Sequence, residues 1–333
     1  MVVVDFLYPG TPFSGETMRS ASLGGIENSI VQLAEALARR GHDVAVFNGV
    51  SAPRQEFGVQ WWPLGEANKR ARGQIGIAVA TPSAFGGTSF RSHFFWVHNP
   101  LKSRRIIRRG HFWPLAKRRP FFVVLGDYHT CHVPRWLPSK GRCIIHNGIQ
   151  EEFFRTDSAA EAPPPCAIFT SQPYRGLDWL LDLWGEIKRK APAATFDVFA
   201  PKAHQAAANA ARRQIEDVHF CGNISRLDLI DELRAARVQL VPGHRDETYC
   251  LAAAEAIAAG VPVVTMGVGA LGERVRDGKT GFIAKSKEDF IAKTAALLSD
   301  DGLWQSMHRE CLAEATLATW DVRAGEWERL FAE

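Results

Sequence analysis

Long apolar runs are missing from this 333-residue chain, and no segment approaches the roughly eighteen consecutive apolar residues that a membrane-spanning helix requires. Met1 leads straight into VVVDFLY, which reads as a strand, so no secretory leader is expected. The six cysteines are scattered with no CxxC pair, which suits a reducing cytoplasm and argues against a disulfide framework. No internal sequence repeat or low-complexity tract is present, although both halves repeat a βα pattern. Acidic residues are absent from the twenty positions LKSRRIIRRGHFWPLAKRRP, 101 to 120.

What is present is a chain long enough for two domains, each with its own core. Strand-like apolar runs alternate with amphipathic helices, as doubly wound parallel sheets require. The runs are Val44–Phe47, Phe94–Val97, Phe121–Leu125 and Cys143–Ile145 in the first half, then Ala167–Thr170, Thr195–Phe199 and Val238–Val241. A helix from Ile26 to Arg40 places Ile26, Ile30, Leu33 and Leu37 on one face and ends in two arginines and Gly41. TDSAAEAPPP, residues 156 to 165, reads as an interdomain linker. Trp179 and Trp184, spaced with Leu177, Leu180, Leu181 and Ile187, read as a core face and not as a sugar platform.

Charge is unevenly shared. Up to residue 155 there are 20 Lys and Arg against 10 Asp and Glu, and the remainder holds 20 against 26, about +10 and −6. Much of the excess lies in Lys102, Arg104, Arg105, Arg108, Arg109, Lys117, Arg118 and Arg119, interleaved with Ile106, Ile107, Phe112, Trp113 and Leu115. That mixture suits an anionic membrane surface or a lipid-diphosphate acceptor; a solvated basic loop is the plainer reading. Nucleic acid is not an expected partner, since no recognition motif accompanies the charge. His129, Cys131, His132, Cys143 and His146 could suggest zinc, but Cys143 and His146 are three apart on an apparent strand and point to opposite faces, so no metal is expected.

The most informative stretch is HRDETYCLAAAEAIAAGVPVV, residues 244 to 264. It reads as one short helix with Glu247 and Glu255 at its two ends, eight positions and roughly 12 Å apart at about 1.5 Å per residue. A hexose ring and the ribose of a nucleotide are comparably spaced. The backbone amides of Thr248, Tyr249, Cys250 and Leu251 would form a positive helix terminus suited to a diphosphate. Gly260 stops the helix, Pro262 follows, and Val261 to Thr265 read as a buried strand. The plainer reading is an ordinary helix with a capping and a solvated glutamate.

This segment resembles the Glu-x7-Glu signature of the retaining GT-B-fold glycosyltransferases of family 4, glycosyltransferase group 1. Other stretches match in the same order: SLGGIENSIVQLAEALARRGHDVAVF resembles the glycine turn, first helix and second strand, and CIIHNGIQEEFF the segment ending the first domain. YRGLDWLLDLWGEI is similar to the first helix of the second domain, and GALGERVRDGKTGFIA to the loop after the signature helix. The resemblance covers nearly the whole chain. It implies an α/β fold of two Rossmann-like parallel-sheet domains facing across a cleft: an acceptor domain at 1–155, a donor domain at 156–316, and a helix at 317–333 crossing back to the first.

The same resemblance implies site roles. Glu255 would accept from the ribose hydroxyls and Glu247 from a hydroxyl of the transferred sugar. Arg175 stands where the family has a phosphate-binding lysine; otherwise it is a helix-start arginine facing water. Thr170 and Ser171 stand where the family places a second cation, which leaves the leaving group less neutralised unless Arg245 or another cation compensates. Tyr249-Cys250 replaces the usual Phe-Gly. Gly24 and Gly25 would let backbone approach a phosphate or sugar, and His98 matches a histidine set against the donor sugar; a plain turn and a structural histidine are the alternatives. The expected reaction moves a sugar from a UDP- or GDP-sugar to a hydroxyl of a glycan, lipid-linked or small-molecule acceptor, with retention and with neither metal nor cofactor, in the cytoplasm or at the inner face of the membrane. A sugar-nucleotide epimerase, a phosphorylase with pyridoxal phosphate, or a non-catalytic binding module on the same fold stay open.

Overall fold

The computed structural model describes residues 1–21, 23–70, 73–156, 161–200, 216–314 and 317–332. Four residues of the expected linker, 157 to 160, lie outside these. The chain divides into two compact units, Met1–Gly148 with Ala318–Glu333, and Ile149–Leu317. The division falls seven residues before the 155/156 boundary expected from sequence, because Ile149–Arg155 packs with the second unit: the Arg155 amide donates to the Ala258 carbonyl at 3.1 Å.

The first unit is an eight-stranded sheet of β1 (Val3–Leu7), β2 (Asp43–Asn48), β3 (Arg54–Glu56), β4 (Val59–Pro63), β5 (Ile75–Val79), β6 (Ser92–Trp96), β7 (Phe121–Val124) and β8 (Gly141–Ile144). The order is β3-β4-β2-β1-β5-β6-β7-β8, parallel except for β3 against β4. Strands buried on both faces need continuous apolar sequence, and Val44–Phe47 and Phe121–Val124 supply it. One face packs Leu7, Phe47, Phe95, Phe122 and Val124 into a core.

The Gly25–Arg39 helix follows β1, and its basic end holds the last helix, Trp320–Phe331. Arg39 pairs with Asp321 at 2.9 Å, and Arg40 and His42 both grip Glu328, at 2.6 and 2.8 Å. Trp327 packs against Trp96 with ring centroids 5.5 Å apart. Gly148 must be a glycine for want of space: a Cβ on it would lie 2.7 Å from the Cα of Trp320.

The second unit is a six-stranded, wholly parallel sheet of β9 (Cys166–Phe169), β10 (Thr195–Val198), β11 (Val218–Phe220), β12 (Val238–Leu240), β13 (Val263–Thr265) and β14 (Gly281–Ile283). Its order is β11-β10-β9-β12-β13-β14. The chain builds outward from β9 in one direction and then returns to its other side at β12, so the topological switch lies between β9 and β12. The Leu177–Lys190 helix buries Leu180, Leu181, Trp184 and Ile187 on the sheet, and Trp179 meets Phe290 at 5.0 Å. Both tryptophans are therefore packing residues. No described helix is long and apolar enough to cross a membrane.

Candidate functional site

In an open parallel sheet, ligands bind outside the carboxyl ends of the strands at the topological switch. Two segments meet there in the second unit. After β9 the chain turns through Pro173–Arg175 and Gly176, whose φ of +115° and approach to Pro242 (2.8 Å from a would-be Cβ) both call for glycine. After β12, residues 241 to 250 form a loop that leads into the Leu251–Ala258 helix.

Here the structure corrects the sequence reading. Glu247 is not on the helix. It lies in the loop, three residues before the N-cap Cys250, so the expected 12 Å helical spacing does not apply. Cys250 adopts the left-handed conformation, φ +64° and ψ +78°, at the position where the family's glycine was expected. That conformation prevents the helix from running back to Glu247. The expected run of amides is reassigned as well: the Cys250 N–H donates to Glu247 Oε1 at 2.9 Å, and the first bond within the helix is Ala254 N–H to the Cys250 carbonyl at 3.2 Å. Leu251 thus opens the helix, while Thr248 and Tyr249 belong to the buried loop before it.

Glu247, 8 % exposed, pairs through Oε2 with the guanidinium of Arg175, so β9 and β12 each deliver one member of an ion pair to the switch point. Glu255, 5 % exposed, pairs with Arg226. A buried carboxylate needs such a partner to remain charged. Tyr249 is buried beneath Arg274, whose guanidinium carbon lies 4.1 Å from the ring centroid. Burial pushes the Cys250 thiol up, so it stays protonated. Thr170 accepts a hydrogen bond from Gln239 at 3.1 Å, and Ser171 follows it at the β9 end, half-buried. Tyr174, largely exposed, stands edge-on to His244 at 5.7 Å.

Arg226 and Arg274 were not singled out from sequence, whereas Arg245, which was, is exposed. A signal for Arg226 existed: it begins the Arg226–Ala235 helix after the Ser225 cap, where a cation opposes the helix dipole.

In the first unit, Gly24 caps the Gly25–Arg39 helix, and the Glu27 side chain folds across it, accepting from the Tyr8 hydroxyl at 2.6 Å. Burial and then Glu27 raise the Tyr8 hydroxyl, keeping it a donor. His98 follows β6, buried against Trp96 with ring centroids 4.4 Å apart; burial pushes it down to about 3, so it is neutral.

The basic stretch forms two short helices, Ser103–Arg108 and Phe112–Arg118. Ile106 and Leu115 anchor them. Lys102, Arg104, Arg105, Arg108, Arg109, Lys117 and Arg119 are exposed beside Ile107 (67 %) and Trp113 (74 %). Trp136, also exposed, lies 6.1 Å from Phe112. Arg118 turns inward instead, donating to the carbonyls of Gly86 and Thr88. No group of three or more His, Cys, Asp or Glu able to hold a metal occurs among the described residues.

The family of glycosyl transferases group 1 matches residues 166–300, within the second unit. The chain is similar to the D-inositol 3-phosphate glycosyltransferase of Kribbella flavida, 36% identical over 127 residues, 37% of this chain and 29% of that protein. It spans less than half the length of such curated relatives. Among solved structures it resembles the sucrose-phosphate synthase of Thermosynechococcus elongatus (TM-score 0.78, 16% identity, covering 100% of this chain and 98% of that one). It also resembles HepE of Anabaena, solved with UDP and glucose (TM-score 0.76, 14% identity, 100% of both chains). The second unit therefore belongs to the group 1 glycosyltransferases, and the chain carries the GT-B fold.

Proposed function

We propose that this protein is a retaining, metal-independent glycosyltransferase of family 4 that moves a sugar from a UDP- or GDP-sugar to a hydroxyl of a glycan, lipid-linked or small-molecule acceptor. The observation that carries the reading is the meeting of Arg175 and Glu247 at the switch between β9 and β12. A cation and an acceptor-only carboxylate at that crevice suit a diphosphate joined to a polyhydroxylated sugar.

In this reading the donor enters the ion pair. Arg175 turns to the diphosphate, with the Leu251–Ala258 helix terminus beside it, and Glu247 takes a sugar hydroxyl in exchange. Glu255 accepts from the ribose. Departure of the diphosphate is helped because its growing charge meets the Arg175 guanidinium and helix amides. The leaving phosphate takes the acceptor proton on the same face of the sugar, which preserves the anomeric configuration. Neutral His98 and the Gly24-Gly25 turn are the first unit's candidates for sugar contacts. The exposed basic and aromatic surface of 102–119 is proposed to rest on anionic lipid, bringing a peripheral enzyme to a lipid-linked acceptor.

The reading is tested by two variants. Glu247→Ala is expected to abolish transfer while leaving nucleotide binding within about threefold, and Glu255→Ala to weaken nucleotide binding itself, by about tenfold or more. Equal loss of both properties in both variants contradicts the assignment.

A further inference from the structure

We infer that Arg226 is a positioning residue for the Glu255 carboxylate and, through it, sets the preference for a ribose over a 2′-deoxyribose in the bound nucleotide. The inference rests on the reading of Glu255 as the ribose acceptor.

Arg226 sits where a cation is locally unfavourable, at the positive end of the Arg226–Ala235 helix. Its side chain is instead held from three directions. One terminal nitrogen, Nη2, pairs with Glu255 Oε1, Nε donates to Gln150 Oε1 at 2.6 Å, and the guanidinium carbon lies 5.0 Å from the Phe153 ring centroid. A planar guanidinium fixed in this way has one orientation, which a lysine could not reproduce. The segment carrying Gln150 and Phe153 is itself tied down, because Arg234 donates to the Glu152 carbonyl at 2.8 Å and the Arg155 amide to the Ala258 carbonyl at 3.1 Å. Glu255 is thereby clamped from a rigid neighbour.

The consequence concerns the carboxylate's two oxygens. With Oε1 committed to Arg226, Oε2 is the oxygen presented to the nucleotide, in a fixed direction. A fixed, charged acceptor discriminates between a sugar that offers a hydroxyl and one that lacks it; a freely rotating one does so poorly. Arg226 therefore acts on recognition without touching the substrate.

The test is the affinity of the full chain for UDP and 2′-deoxy-UDP by titration calorimetry, or for GDP and 2′-deoxy-GDP where GDP binds more tightly. In the unaltered protein the ribonucleotide should bind about tenfold more tightly, the worth of one hydrogen bond to a charged group. Arg226→Gln should weaken ribonucleotide binding about tenfold and bring the ratio close to one. Arg226→Lys, which keeps the charge but not the fork, should leave a ratio near threefold. General damage to the fold would lower both affinities and preserve the ratio, so an unchanged ratio in Arg226→Gln overturns the inference while the reading of Glu255 stands, provided Glu255→Ala removes the preference. Where Arg226→Gln does not fold, Arg226→Lys decides: a ratio near threefold supports the inference and an unchanged one overturns it. Unaltered ribonucleotide affinity in Glu255→Ala, or no nucleotide binding at all, overturns the reading of the site and the inference with it.

Discussion

Buried Glu247 and half-buried Arg175, seventy-two positions apart in sequence, form an ion pair where the ends of β9 and β12 come together. The pair joins the two halves of the second sheet at the point where the chain reverses its direction of growth. Without a ligand each charge faces the other; in the proposed reading a donor's phosphate and a sugar hydroxyl would take over the two roles.

Replacing Arg175 by lysine should therefore be mild. Lysine brings the same charge to a diphosphate as a point cation, so donor turnover should fall by no more than about tenfold. Arg175→Ala should cost about 10²-fold to 10³-fold in turnover. It should also cost about 3 kcal/mol of stability, since Glu247 is left buried without its cation. Donor hydrolysis and urea unfolding on the two variants measure both effects.

The surface of the first unit gives a second expectation. Each exposed Lys or Arg near an anionic bilayer is worth about 1 kcal/mol. Neutralising Arg104, Arg105, Arg108 and Arg109 together should lower partitioning onto phosphatidylserine-containing vesicles by at least about 10²-fold, with little change on neutral ones. Trp113→Ala should weaken binding further. Arg118→Ala should act on folding instead, because its guanidinium serves the carbonyls of Gly86 and Thr88. Co-sedimentation that is indifferent to the four substitutions rules out the membrane proposal.

Acid should loosen the last helix. The hydrogen bond from Arg40, assisted by His42, holds the Glu328 carboxyl down at about 2. A carboxylate whose folded value is depressed stabilises the fold above its unfolded value, near 4.5, and that contribution is lost as pH falls towards 2. Glu328→Gln should accordingly lower the melting temperature at pH 5. The gap between variant and parent should close below pH 4.5, as thermal melts across that range would show.

The sheets were legible in the sequence because strands buried on both faces must be continuous apolar runs, and Val44–Phe47 and Phe121–Val124 are. The amphipathic Gly25–Arg39 and Leu177–Lys190 helices were equally plain, to within one residue where bounds were drawn. The edge strand β3, Arg54–Glu56, was not, since an exposed polar strand carries no apolar period. Around the site, the residue types were legible and their geometry was not. A spacing of eight reads as two turns of helix only if every residue between can be helical, and Cys250 in the left-handed region breaks that condition. The Arg226–Glu255 pair and the Arg274–Tyr249 stack each bridge at least one helix and one strand of intervening chain, so no local period announces them.

Binding and turnover of a nucleotide sugar at this switch point is the proposed activity. It is tested most directly by measuring thermal shift and slow donor hydrolysis with UDP-, GDP-, TDP- and ADP-sugars, on the unaltered chain and on Glu247→Ala. Stabilisation by one nucleotide family, with hydrolysis present in the parent and lost in the variant, is the outcome expected. No stabilisation by any of the four, or hydrolysis that persists undiminished without Glu247, would contradict the account.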